Sequence, residues 1–88
     1  MAKVKTSTGF EAEIDESFHE DWEYFEGLAA AAAGKITAQV QLAHCVLSDK
    51  DLERLKDHCR GDNGRASVEK MTEELFELIK LTPSGKNS

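Results

Sequence analysis

Two histidine–cysteine pairs, His44-Cys45 and His58-Cys59, are the first residues in this chain whose types suit chemistry. Two imidazoles and two thiols would complete a tetrahedral zinc sphere in number. The spacing argues against it. Neighbours on a helix point about 100° apart, so one ion would struggle to collect both members of either pair, and the Cys-x(2–4)-Cys knuckle is absent. The turn-rich segment from Asp57 to Val68 fails as a calcium loop, because it puts Cys59 at the third ligand position, Gly61 at the fifth and Val68 where a bidentate glutamate belongs. No glycine-rich loop precedes a Lys-Ser or Lys-Thr pair, and no serine, histidine and aspartate fall in the context of a nucleophile elbow. His19 lies among Glu16, Glu20 and Glu23, where carboxylates would raise its pKa, but a histidine in an acidic helix is more often a surface residue than a general base. The reading is a non-enzyme with no cofactor and no metal. Tightly held zinc, or a thiol of depressed pKa, would revive a metalloprotein or an enzyme.

Carboxylates offer a different kind of chemistry, the recognition of a partner. Glu16, Glu20 and Glu23 fall along one side of an expected first helix, and Glu69, Glu73 and Glu77 form an i, i+4 line on an expected fourth. Like charges at that spacing cost a few tenths of a kcal/mol per pair, so two such lines suit a basic partner or serve solubility. Tyr24 and Phe76 sit beside the apolar stripes, in place to form the exposed rim of a groove. Together Glu16, Glu20, Glu23, Tyr24, Glu69, Glu73, Phe76 and Glu77 make up the candidate partner surface; the competing reading places the two aromatics at the edge of the core.

These side chains need elements to position them. Val4 and Thr6 alternate with Lys3 and Lys5, Ser7-Thr8-Gly9 supplies a turn, and Phe10, Ala12 and Ile14 alternate with acids: a hairpin over about residues 3–14. A lone hairpin is unstable, so its apolar side must lie on helices. Ser17 with Glu20 has the form of a capping box opening a helix over about 17–33, with Phe18, Trp22, Phe25, Leu28, Ala29 and Ala32 as its buried face and Gly34 as its stop. Gly27 interrupts that helix at roughly 1 kcal/mol relative to Ala, which points to a close contact or a bend. Ile36, Val40, Ala43, Val46 and Leu47 mark a second helix over about 36–47. Ser48 with Asp51 caps a third over about 49–60 that buries Leu52, Leu55 and Cys59, with Gly61 as its C-cap residue. Ser67 caps a fourth over about 67–81 that buries Val68, Met71, Leu75, Leu78 and Ile79. Residues 82–88 have the composition of a flexible tail. The expected fold is α+β, mainly α, with the hairpin packed on about four short amphipathic helices in a single small domain over residues 1–81.

Composition narrows the class further. At 88 residues there is room for one modest core. No stretch approaches the roughly 20 apolar residues of a membrane span and the first residues lack a signal peptide's apolar block, so a cytoplasmic location is expected. Two cysteines inside helical patterns, with nothing pointing to export, read as free thiols. The net charge of −6 is uneven: residues 10–26 carry eight acids and no Lys or Arg, whereas residues 48–65 balance five against five. That field repels phosphate backbones, which argues against nucleic acid and for protein partners. So much apolar helix face on so small a chain leaves a homo-oligomer open, without fixing the oligomeric state.

The order of these pieces resembles a family of small phage and prophage proteins, the tail assembly chaperones of long-tailed phages. The likeness runs over about residues 9–80, through Gly9-Phe10-Glu11-Ala12-Glu13-Ile14-Asp15-Glu16, Asp21-Trp22-Glu23, the segment from Leu52 to Asp57-His58-Cys59-Arg60, Asp62-Asn63-Gly64-Arg65 and Met71-Thr72-Glu73-Glu74-Leu75. None of these motifs is catalytic. The run from Ala29 to Ala33 departs from the more polar connection of the family. The resemblance implies a non-catalytic protein of the bacterial host cytoplasm that binds the long, helical tape-measure protein during tail assembly. The alternative is a small acidic adaptor or inhibitor that engages a basic partner.

Overall fold

The computed structural model describes residues 1–83. It is an α+β fold, mainly helical, in which an N-terminal antiparallel hairpin lies against four α-helices. Strands β1 (Ala2–Lys5) and β2 (Glu11–Ile14) pair in the register Ala2 to Ile14, Lys3 to Glu13, Val4 to Ala12 and Lys5 to Glu11. Alternation therefore sends Val4, Ala12 and Ile14 inward, and each lysine stands opposite a glutamate. Gly9 closes the turn at φ 96°, a left-handed conformation that glycine adopts without a Cβ clash.

The expected first helix is broken. Asp15, not Ser17, caps a 3-10 turn over Glu16–Glu20, accepting from the Ser17 amide at 3.0 Å. Asp21 then accepts from the Glu23 amide and restarts the chain as α1 (Trp22–Ala32). Two short aspartates with a local amide in reach outcompete continuation of one helix, because each satisfies an otherwise orphaned N–H. The break resets the helical phase. Phe18 is still buried, but Tyr24 and Gly27 now face the interior, and Trp22 and Phe25 stay 67% and 59% exposed.

At its end α1 forms a Schellman motif: the Gly34 amide donates to Ala31 O and the Lys35 amide to Ala30 O, with Gly34 at φ 91°. Helix α2 (Ala38–Val46) starts two residues later than its apolar pattern, and α3 (Asp49–His58) opens on Ser48, whose hydroxyl accepts from the Asp51 amide at 3.1 Å. Gly61 is not the left-handed stop; Cys59 is the C-cap of α3, and Gly64, at φ 79°, makes the reversal while Asn63 Oδ1 accepts from the Arg65 amide. Helix α4 (Val68–Leu81) opens on Ser67 as expected.

Ile14, Leu42, Leu55 and Leu78 form the driest part of the core, each contributing roughly 1.5–3 kcal/mol by burial. The chain departs from the expected tail at Thr82, which is buried, donates its hydroxyl to Leu78 O and presents its carbonyl to His19 Nε2 at 3.2 Å. That carbonyl needs a partner because it is shielded from water. Residues 84–88 of the expected tail lie outside the described residues. Among the described residues no helix is long and apolar enough to cross a membrane.

Candidate functional site, an apolar groove between three helices

The packing of α2 decides where the surface opens. A Cβ on Gly27 would come within 3.0 Å of Leu42 Cδ2, so the bare glycine lets α1 and α2 approach closely. Gln41 adds a bond from its Nε2 to the Glu23 carbonyl at 2.7 Å. With Gln41 and Leu42 turned to α1, the opposite side of α2, carrying Val40 and Ala43, together with Ile36 in the turn before it, faces α3 and the start of α4 across a gap. That gap is a groove of about 460 Å³.

Leu52 and Leu55 of α3, Leu75 of α4 and Ala43 form its buried floor. Ile36 and Val40 on one wall and Val68 on the other are largely exposed, and Met71 is half-buried between them. The Thr72 hydroxyl bonds the Gln39 side chain, tying α4 to α2 within the lining. Lys56 and His44 also reach the lining, whereas among the described residues no carboxylate does. In a chain of 17 acids that is a marked local departure. Val68 was expected on a buried face, and Ile36 and Val40 on the apolar stripe of the second helix. They are groove walls instead, exposed on either side of the gap between α2 and the start of α4.

The eight residues of the expected partner surface lie elsewhere. Glu16 is half-buried in the 3-10 turn and its carboxylate pairs with the Met1 amino group at 3.1 Å. Glu20 and Glu23 are exposed but fall on separate elements, so Glu16, Glu20 and Glu23 do not form one helix line. Tyr24 is not a rim residue: at 6% exposure it packs edge-on against Phe18, ring centroids 4.9 Å apart, because the restart at Asp21 turned it inward. Phe76 is partly exposed, and Glu69 and Glu73 are exposed on α4. Glu77 keeps its place on the α4 line with Glu69 and Glu73 but is half-buried, and its two oxygens accept from the Ser7 amide at 2.7 Å and the Ser7 hydroxyl at 3.0 Å.

Glu77 belongs to a polar clamp that fastens the hairpin turn to α3 and α4. Thr8 Oγ1 donates to Glu74 Oε2 at 2.7 Å, and its proton being so used, it accepts from His58 Nε2 at 2.9 Å. Thr6 Oγ1 lies 3.2 Å away and accepts from the Phe10 amide. The His58 ring also packs on Phe10, centroids 5.5 Å apart, and Arg54 covers that phenyl ring at 5.0 Å. Glu74 is 5% exposed and its Oε1 has no hydrogen-bond partner among the described residues. No sequence pattern singled it out, because position 74 reads as one more acid in a charged helix.

Both cysteines are free thiols. Burial raises the Cys59 thiol above its ordinary value, and the nearby Glu74 adds to the effect; burial also raises Cys45, with the Asp21 charge next in weight. Neither has the depressed value of an activated nucleophile. Among the described residues no three His, Cys, Asp or Glu side chains gather as a metal site. Compared with family models, with curated proteins and with solved structures, the sequence matches none.

Proposed function

We propose that this protein is a non-catalytic binding module whose groove between α2, α3 and α4 holds an apolar helix of a partner protein. The observation that carries the proposal is the groove itself. Its walls hold Ile36, Val40 and Val68 in water at a hydrophobic cost, over a dry floor of leucines that admits no carboxylate. Such a groove accepts side chains spaced i, i+3 or i+4 and i+7 along a helix. Its volume lies within the roughly 300–1,000 Å³ of specific apolar sites. Within this reading the protein is a tail assembly chaperone of a long-tailed phage or prophage, acting in the bacterial cytoplasm. Its partner is the tape-measure protein, whose long apolar helix needs cover until the tail tube encloses it.

A second reading, an acidic adaptor for a basic partner, draws support from the exposed Glu23 and Glu26 on α1 and Glu69 and Glu73 on α4. Salt separates the two, since a contact between exposed charges is screened over about 8–10 Å at physiological ionic strength whereas an apolar one is not. The test is to express the tagged protein in its bacterial host with the neighbouring phage genes induced and to identify what copurifies at low and high salt. A very long helical tail protein retained at high salt by the native chain and lost from Val40→Glu supports the chaperone. Recovery only of a basic partner that salt removes would replace it with the adaptor.

A further inference from the structure

Besides the groove, the fold leaves a convex apolar feature without cover. Trp22 and Phe25, ring centroids 5.6 Å apart, lead a stripe on the outer side of α1 that continues through Leu28. The stripe cannot fill the groove of its own chain. Helix α2 stands between them, with Gln41 and Leu42 turned to α1 and Val40 turned to the groove.

We infer that the groove of one molecule takes the Trp22 and Phe25 edge of a second copy, and that two molecules exchange these edges as a twofold dimer. This goes beyond the proposed function and needs no tail protein.

Charge supports the choice of occupant. Helix α1 carries Glu23 and Glu26 and no Lys or Arg, and Asp21 caps it, so the stripe arrives with an acidic border. The groove lining holds Lys56, which pairs with Glu53 at 2.9 Å, and His44, 3.8 Å from Asp49, and no acid of its own among the described residues. Along the chain beside the lining stand exposed Lys35, Arg65 and Lys70 and also exposed Glu53, Glu69 and Glu73, so the surrounding border is mixed and only the lining itself is free of acids. A partner whose apolar helix carries a basic border would find no carboxylate in the lining to pair with.

Area supports the twofold exchange. A buried Trp or Phe removes roughly 150–250 Å², so at their observed exposure these two rings have roughly 250 Å² left to bury. With a similar area from the groove walls, one contact removes about 500 Å², too little for a specific interface. Two related by symmetry reach about 1,000 Å², the lower bound of a biological one. The dimer is therefore a weak, micromolar one that a better-fitting helix displaces.

Trp22 is the chain's sole tryptophan, so its emission reports the contact directly. The experiment pairs sedimentation velocity of the full chain, from submicromolar to several hundred micromolar, with tryptophan emission and acrylamide quenching over the same series. The expected result is a monomer to dimer transition with a blue shift and loss of quenching. Both Trp22→Ala with Phe25→Ala and Val40→Glu should weaken it at least tenfold, with circular dichroism unchanged because all three positions are surface ones. Titrating the tryptophan-free double variant, which keeps its groove, into Val40→Glu, which keeps its stripe, should restore the blue shift in part. A native chain that stays monomeric with quenchable Trp22 overturns the inference. So does Val40→Glu dimerising like the native chain, which would mean stripe against stripe. Neither outcome touches the binding of a tail protein, which the copurification reads separately.

Discussion

Replacing Thr8 by valine should cost more stability than an exposed turn residue ordinarily would. The change preserves the β-branched shape and removes one hydroxyl, the group that donates to Glu74 Oε2 and accepts from His58 Nε2. A hydrogen bond to a charged group is worth about 1.5–3 kcal/mol. Breaking a buried ion's last contact reaches about 3–5 kcal/mol, but Thr8 is exposed and water can enter beside it, so the lower range applies. At about 4–8 °C per kcal/mol for a domain of this size, Tm should fall by roughly 6–24 °C. Thermal and urea denaturation followed by far-UV circular dichroism would measure it, within a double-mutant cycle that uses Glu74→Met. The methionine removes both the acceptor and the unpartnered Oε1, so Thr8→Val in that background should cost less by at least about 1 kcal/mol. An equal cost in both backgrounds, or a loss below about 0.5 kcal/mol in the native one, would refute the clamp as the source of the stability.

Gly27→Ala sets a helix-propensity gain of about 1 kcal/mol against overpacking of about 1–3 kcal/mol where the new methyl meets the fully buried Leu42, so urea denaturation should show a net loss of up to about 2 kcal/mol. Stability should decline in alkali: the thiols of Cys59 and Cys45 are raised above 9.0 and the Tyr24 phenol above 10.0, so the folded chain keeps protons that the unfolded chain releases. Urea midpoints should hold below the unfolded thiol value and fall as the pH rises from there toward the folded values, less steeply in a Cys45→Ser, Cys59→Ala variant. Val40→Glu should leave unfolding within about 0.5 kcal/mol of the native chain, as a surface substitution, while partner recovery at high salt drops at least tenfold.

Local chemistry made much of the fold legible. The hairpin, the Ser48 and Ser67 caps and the Gly34 stop each follow from residues within a few positions of one another, and the periodicity of α3 placed Leu52, Leu55 and Cys59 in the core where they lie. The first helix was misread because Ser17 and Asp15 compete for the same kind of amide, and the pattern Phe18, Trp22, Phe25 looks continuous only if nothing interrupts it at Asp21. The groove was not legible at all. Ile36, Val40 and Val68 carry the same periodic signal as Val46 or Leu75, and whether an apolar side chain ends in a core or on a wall depends on the separation of two helices far apart in sequence. The acidic lines misled for a related reason: spacing identifies a helix face, but not that Glu74 and Glu77 turn toward a hairpin some 70 residues earlier.

That last point changes what the acidity of the chain is for. Of the acids on α4, Glu74 and Glu77 hold the hairpin turn, and Glu16 pairs with the Met1 amino group, so several carboxylates do structural work before any partner arrives. Exposed acids remain on α1, on α3 and on α4, Glu69 and Glu73 among them, whereas the groove lining itself contains none among the described residues. Charge and apolar surface are thus distributed differently on the two faces of the α1 and α2 pair: an acidic border around a protruding aromatic edge, and a recess whose lining holds Lys56 and His44 but no carboxylate among the described residues. A surface evolved only for solubility would spread its carboxylates over the recess as well, where they would suppress association at little cost to folding. Their exclusion from it argues that the recess is kept for an apolar helix.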